Sequence, residues 1–188
     1  MFKYHPFLLA AALGVLVAVQ GCQLPRPSLF EHSETGTTGE GRTVAIVIEA
    51  PQTQTAAQVE TFVHKRINAI RKQNGAGALK RNGRLDAVAR AYSRQMAEGN
   101  FFSHTSPDGT SVADRVRRAG VLYMVVGENL AKIGGSNRPA QIAVEGWMKS
   151  PGHRENILRK VFSESGVGAW RQGRLVYITQ VFLRPVGF

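Results

Sequence analysis

A mixed α+β domain is the fold class this sequence predicts, on three observations. Two stretches carry apolar residues at helical spacing, a pair of β-rich runs near the C-terminus flanks a short polar turn, and a strand-like run lies between further helical segments. Helices flanked by strands that pair as a hairpin argue against a doubly wound parallel sheet, which needs regular alternation of strand and helix. At 188 residues the chain can bury one core of useful size and is short for two. The boundaries are read as a leader over 1–21, a tether over 22–50 and the domain over 51–188.

The leader follows from its pattern. Lys3 precedes an apolar run from Phe7 to Val19, and small residues follow around Gly21, as in a signal peptide. The run is short of the roughly 20 residues that span a bilayer. The single cysteine, Cys22, stands where the run stops, and Val19-Gln20-Gly21-Cys22 resembles a bacterial lipobox. That resemblance implies export, lipid on Cys22 and membrane attachment through it. Because Gln23 and not an aspartate follows, it also implies the outer membrane where the host has two. The alternative is an ordinary signal peptide cut nearby, which leaves a free thiol. A disulfide-stapled core is excluded in either case, since there is one cysteine.

From Gln23 to about Arg42 the composition is rich in Pro, Ser, Thr, Gly and Glu, as a flexible tether requires. Thr43–Glu49 is a β-branched run closed by Pro51, readable as an edge strand or as part of the tether. Val59, Phe62, Val63, Ile67 and Ile70 then form one helical face, and Leu85, Val88, Ala89, Tyr92 and Met96 a second that ends at Gly99. Ser111 and Asp114 have the spacing of a capping box that opens a short helix to Ala119. Met124–Val126 reads as a strand leading into Gly127-Glu128-Asn129. Pro139 suits the first turn of a helix whose buried face takes Ile142, Ala143 and Trp147. Gly166–Trp170 and Leu175–Phe182, separated by residues 171–174, form the predicted hairpin. Phe101 and Phe102 are read as core or site wall, and Arg115, Arg117 and Arg118 as a solvated helix face.

Lys and Arg number 24 against 13 Asp and Glu, and the leader holds only Lys3, so 23 basic and 13 acidic residues follow it. Such a field attracts polyanions. Export removes nucleic acid from the expected partners and leaves anionic lipid, lipopolysaccharide and acidic wall polymers.

Three segments carry a further resemblance: Phe102-Ser103-His104-Thr105-Ser106-Pro107-Asp108-Gly109, Gly127-Glu128-Asn129, and the run from Trp147 to Leu158 that contains Ser150-Pro151-Gly152-His153. With Gly166-Val167-Gly168 and Tyr177–Phe182 they resemble, in order and spacing, the CAP superfamily of cysteine-rich secretory, antigen and pathogenesis-related proteins, over roughly 57–183. The resemblance implies an α-β-α sandwich around a central antiparallel sheet, with a cleft holding two histidines and two glutamates. Carried over residue by residue, these are His104, Glu128, Glu145 and His153. The chain departs from eukaryotic members in lacking their disulfides.

The residues themselves support part of this. Ser106-Pro107-Asp108-Gly109 suits a type I turn that would fix His104 on its loop. Ser150-Pro151 reads as a helix start, placing His153 in a first turn whose dipole favours the neutral imidazole. Two neutral imidazoles, His104 and His153, suit zinc with water in its remaining positions, and Glu128 or Glu145 would then activate water in a hydrolase. The competing reading is a hydrogen-bonded network that stiffens a binding site for a small amphiphile, a glycan or a protein; sterol or fatty-acid carriage is a third. No zincin helix, serine elbow or thiol nucleophile is present in the domain, which favours binding over conventional proteolysis. His32 and His64 match no motif and are read as solvent-facing.

Overall fold

The computed structural model describes residues 55–187. The leader, Cys22, His32 and the run 43–49 lie outside them. Helix α1, Ala56–Gln73, starts at a capping box: the Thr55 hydroxyl accepts from the Gln58 amide, and the Gln58 side chain accepts from the Thr55 amide. Val59, Val63, Ile67 and Ile70 are buried, as their spacing predicts. Strand β1 is only Lys80–Arg81, and helix α2, Gly83–Glu98, begins at Asn82, whose side chain accepts from the Arg84 and Leu85 amides. Helix α3, Val112–Arg118, has the predicted box between Ser111 and Asp114. Strand β2 runs Tyr123–Gly134, helix α4 Pro139–Lys149, helix α5 Pro151–Leu158, strand β3 Glu164–Gln172 and strand β4 Leu175–Pro185.

The strands form one sheet in the order β1-β3-β4-β2. β4 is antiparallel to both its neighbours, and the hairpin closes with Gln172 opposite Leu175. β1 joins parallel to β3, opposite Glu164 and Ser165, so the sheet expected to be antiparallel is mixed. Two exposed residues after a helix give no alternation to read, which is why this strand left no signal in the sequence.

Helices cover both faces. α1, α4 and Ile157 of α5 pack with Val167, Ala169, Val176, Ile178 and Phe182 of β3 and β4 on one side. α2 and α3 pack on the other, against Val181 and Leu183 and against Leu130 and Tyr177. The α4 face differs from its reading: Ile142 is 42 % exposed, and Ala140, Ala143, Val144 and Trp147 form the buried stripe. α2 lies unusually close to β3, because a Cβ on Gly166 would stand 2.3 Å from the Leu85–Asp86 backbone and one on Gly168 1.9 Å from the Arg90 nitrogen.

Buried charge completes the frame. Beyond β1, the amides of Val167 and Ala169 on β3 donate to the carboxylates of Asp86 at 2.8 Å and Glu60 at 3.2 Å. Arg90 holds Glu60 through two hydrogen bonds, and Arg81 holds Asp86. Arg71 is fully buried and donates to the carbonyls of Gly77, Ile157, Arg159 and Phe162, fastening the end of α5 to α1.

Candidate functional site

β2 lies at one edge of the sheet, and Gly127-Glu128-Asn129 falls inside it rather than after it. Successive side chains of a strand point to opposite faces. Glu128 therefore turns toward α2 and α3, while Asn129 turns toward α5, where its amide donates to the His153 carbonyl at 3.1 Å. Asn156 of α5 donates to the Glu128 carbonyl and to Asn129 Oδ1, tying the helix to the strand. Gly127 has no room for a side chain: a Cβ would meet the Phe162 ring at 2.9 Å and Asn156 Oδ1 at 3.3 Å.

His104 arrives on the loop between α2 and α3. The Gly109 amide donates to the Ser106 carbonyl at 2.8 Å, with Gly109 in the left-handed region, and the Ser106 amide donates to Thr110 O; these bonds close the turn after His104. Before it, the Tyr92 hydroxyl donates to the Ser103 carbonyl. So held, His104 Nδ1 stands 2.9 Å from Glu128 Oε1. Arg115 donates to the other oxygen, Glu128 Oε2, at 2.7 Å and also to the carbonyls of Thr110 and His104. Its guanidinium lies over the Tyr92 ring, 3.3 Å from the centroid. Glu128 is thus gripped at both oxygens, with its side chain 2 % exposed. A carboxylate fixed by a guanidinium is an acceptor, so His104 donates to it through Nδ1, and Nε2 takes no part in this bond.

His153 comes from the opposite face of the sheet. It sits in the first turn of α5, with Nδ1 2.8 Å from Ser150 Oγ. Ser150 opens the helix but makes no side-chain cap bond; its hydroxyl serves the imidazole instead. Burial first, and the nearby His104 second, hold His153 below the usual histidine pKa. The sequence reading gave the direction but credited the helix dipole.

Glu145 does not join them. It is exposed on α4 and lines a separate hollow of about 250 Å³ between α1 and α4, beside Phe62, Arg66, Ile70, Val144 and Met148. The structure joins His104 directly to Glu128 and sets His153 across the strand, where its carbonyl accepts from the Asn129 amide; beside these residues it adds Arg115, Tyr92 and Ser150. Arg115 corrects the sequence reading: its side chain is 9 % exposed and points into the site, while Arg117 and Arg118 are exposed as expected. His64 is corrected too, being half-buried between Asn68 and Ser165. Phe101 packs edge-on against Tyr92, and Phe102 is 46 % exposed. Among the described residues no group of three or more His, Cys, Asp or Glu is arranged to hold a metal. Among the same residues no helix is long and apolar enough to cross a membrane.

The model of the cysteine-rich secretory protein family, CAP, matches residues 64–182. The chain is similar to YkwD of Bacillus subtilis (strain 168), 39 % identical over 108 residues that make up 57 % of this chain and 41 % of that protein. It is also similar to the membrane protein YlbC of the same organism, 35 % identical over 131 residues, 68 % of this chain and 36 % of that one. The chain thus spans about two fifths of the length of the curated relatives it matches. Among solved structures it is similar to an extracellular protein containing an SCP domain from Bacillus anthracis str. Ames, with TM-score 0.64 and 30 % identity, covering 72 % of this chain and 45 % of that one. NaASP2, crystallised with Zn2+, has the same fold at 11 % identity and TM-score 0.50, over 72 % of this chain and 84 % of that one. The chain belongs to the cysteine-rich secretory protein family.

Proposed function

We propose that this member of the CAP family is an exported protein held at the cell envelope by lipid on Cys22, and that its His104–Glu128–His153 site binds a ligand without transforming it. The ligand classes it suits are a small amphiphile, a glycan and a protein segment. The observation that carries this reading is the double grip on Glu128. A general base needs an oxygen within reach of water or substrate, and here one oxygen faces His104 and the other accepts from Arg115. The second glutamate that a hydrolase would recruit, Glu145, faces the hollow between α1 and α4.

Zinc is the metal the histidine pair suits, with His104 and His153 as its holders. Two nitrogens predict far weaker affinity than three- or four-ligand sites, and no proton transfer is assigned to either glutamate. Export is supported by the similarity to an extracellular protein, and the outer membrane is the proposed location in a two-membrane host because Gln23 follows Cys22.

Native mass spectrometry of protein purified from its own envelope tests the reading. The expected result is a retained ligand in the wild type that is diminished in His104→Ala. Turnover of peptide or wall fragments that disappears in Glu128→Gln would overturn it. The mass of the N-terminal peptide tests the anchor separately: an acylated Cys22 is expected, and an unmodified one refutes that part alone.

A further inference from the structure

His64 stands in the middle of α1 with both ring nitrogens engaged, and its neighbours decide which of them carries the hydrogen. Asn68, one turn later, holds the backbone of Leu79 at both ends. Its Oδ1 accepts from the Leu79 amide at 2.8 Å, and its Nδ2 donates to the Leu79 carbonyl at 3.0 Å. That pairing fixes which end of the side-chain amide is nitrogen. The same Nδ2 lies 3.3 Å from His64 Nε2, so its second hydrogen points to that ring nitrogen, which must accept. Nδ1 then carries the ring's hydrogen and donates to Ser165 Oγ of β3 at 3.3 Å.

The arrangement suits a ring with one hydrogen and opposes a second. A hydrogen on Nε2 would face the Asn68 amino group, donor against donor. Turning the Asn68 amide round relieves that contact only by setting Oδ1 against the Leu79 carbonyl and Nδ2 against the Leu79 amide, which loses both bonds. Leu79 leads directly into β1: the Lys80 amide donates to Ser163 O, and the Asn82 amide, just after the strand, to Ser165 O, each at 2.9 Å. Of the charged groups on this side, Arg81 of β1 opposes a charge on His64, while Asp86 of α2 favours it but is already held by Arg81 and by the Val167 amide. Glu60, one turn earlier on α1, is taken by Arg90 of α2 and by the Ala169 amide, and Glu164 of β3 accepts from Asn82. Burial first and Arg81 second hold His64 below the ordinary histidine pKa, in keeping with a ring that the fold keeps neutral.

We propose that His64 is an acid-sensitive latch: a proton on Nε2 breaks the Asn68–Leu79 pairing and releases residues 77–82, β1 included, from α1 and β3. The open state leaves the β3 edge at Glu164 and Ser165 without its partner strand. It also takes the Gly77 carbonyl from Arg71, the side chain that fastens the end of α5. Because the proton binds the open state more readily, falling pH shifts the equilibrium toward it. The inference goes beyond the ligand reading at His104 and does not rest on it.

The test follows histidine ring resonances and amide hydrogen exchange together, by NMR on the full chain, from about pH 7.5 to about pH 5, a window that spans the ordinary histidine pKa. Exchange rates are converted to protection factors, which removes the intrinsic pH dependence of exchange. As the His64 ring titrates, protection of the Leu79, Lys80 and Asn82 amides is expected to fall roughly tenfold or more, the equivalent of the hydrogen bonds lost. Ile178, inside β4, is expected to keep its protection. His64→Gln supplies an acceptor for Asn68 and a donor for Ser165 throughout the window, so protection of the three amides is expected to stay level. Should that variant melt early, Asn68→Asp takes its place. Its carboxylate accepts from the Leu79 amide and from a protonated Nε2 alike, so the His64 midpoint is expected to rise by about one pH unit and the acid loss at Leu79 to vanish. The proposal is overturned by a His64 ring that titrates with no change at the three amides, by an equal loss at Ile178, by the same loss in His64→Gln, or by an unmoved midpoint in Asn68→Asp.

Discussion

Glu128 owes its position to two partners of different visibility. His104 could be read from the sequence because it stands in a turn-forming motif at a fixed distance from Gly127-Glu128-Asn129. Arg115 could not, because it lies among three arginines on a short helix and nothing local distinguishes the one whose side chain folds back onto Tyr92 and Glu128. Arg115→Leu removes one member of a buried ion pair and leaves a desolvated carboxylate. Denaturant unfolding is expected to show a loss of about 3–5 kcal/mol, whereas Arg118→Leu, on the exposed face, changes stability by less than about 0.5 kcal/mol. The two half-buried histidines give a pH dependence. His64 is held below the ordinary value of 6.5 by burial and then by Arg81, and His153 by burial and then by His104. A histidine with a depressed folded-state pKa stabilises the fold while neutral, so its contribution is complete above about 6.5 and is lost as pH falls through that value toward the folded pKa. Unfolding free energy measured from neutral pH downward is expected to decline in that window. His64→Asn is expected to flatten the decline; an undiminished slope would contradict the assignment.

At the scale of elements, the amphipathic helices were legible because their apolar spacing is dictated by contact with the sheet, and the hairpin because two β-rich runs flank a short turn. β2 was underread: the pattern suggested Met124–Val126, while the strand runs on to Gly134 through Gly127-Glu128-Asn129, whose polar side chains are satisfied by neighbours distant in sequence. The glycines of Gly166-Val167-Gly168 matched a family motif, but their reason appears only with α2 in place. Gly168→Ala would drive a methyl into the Arg90 backbone. Such overpacking against rigid backbone is expected to lower stability by about 3 kcal/mol or more. Gly146 lies within α4 with open space around its Cα, so Gly146→Ala is expected to stabilise by roughly 1 kcal/mol. Thermal melts of the two variants should therefore move in opposite directions, and a neutral Gly168→Ala would refute the close approach.

For the whole molecule, the sandwich brings segments from both faces of the sheet to the outer edge of β2. The loop carrying His104 belongs with α2 and α3, His153 belongs with α5, and the strand between them supplies Glu128 to one side and Asn129 to the other. Motif order alone foretold a common site for four residues. The layering pairs His104 with Glu128 and sets His153 across the strand from them, while Glu145 on α4 lines the hollow against α1. The most direct test of the shared site is an NMR titration of the histidine ring resonances in the wild type and in His104→Ala. With the two imidazoles in one electrostatic site, His153 titrates below 6.5 in the wild type and moves upward when His104 is removed. A His153 pKa that His104→Ala leaves unchanged would show that the two rings do not share a site.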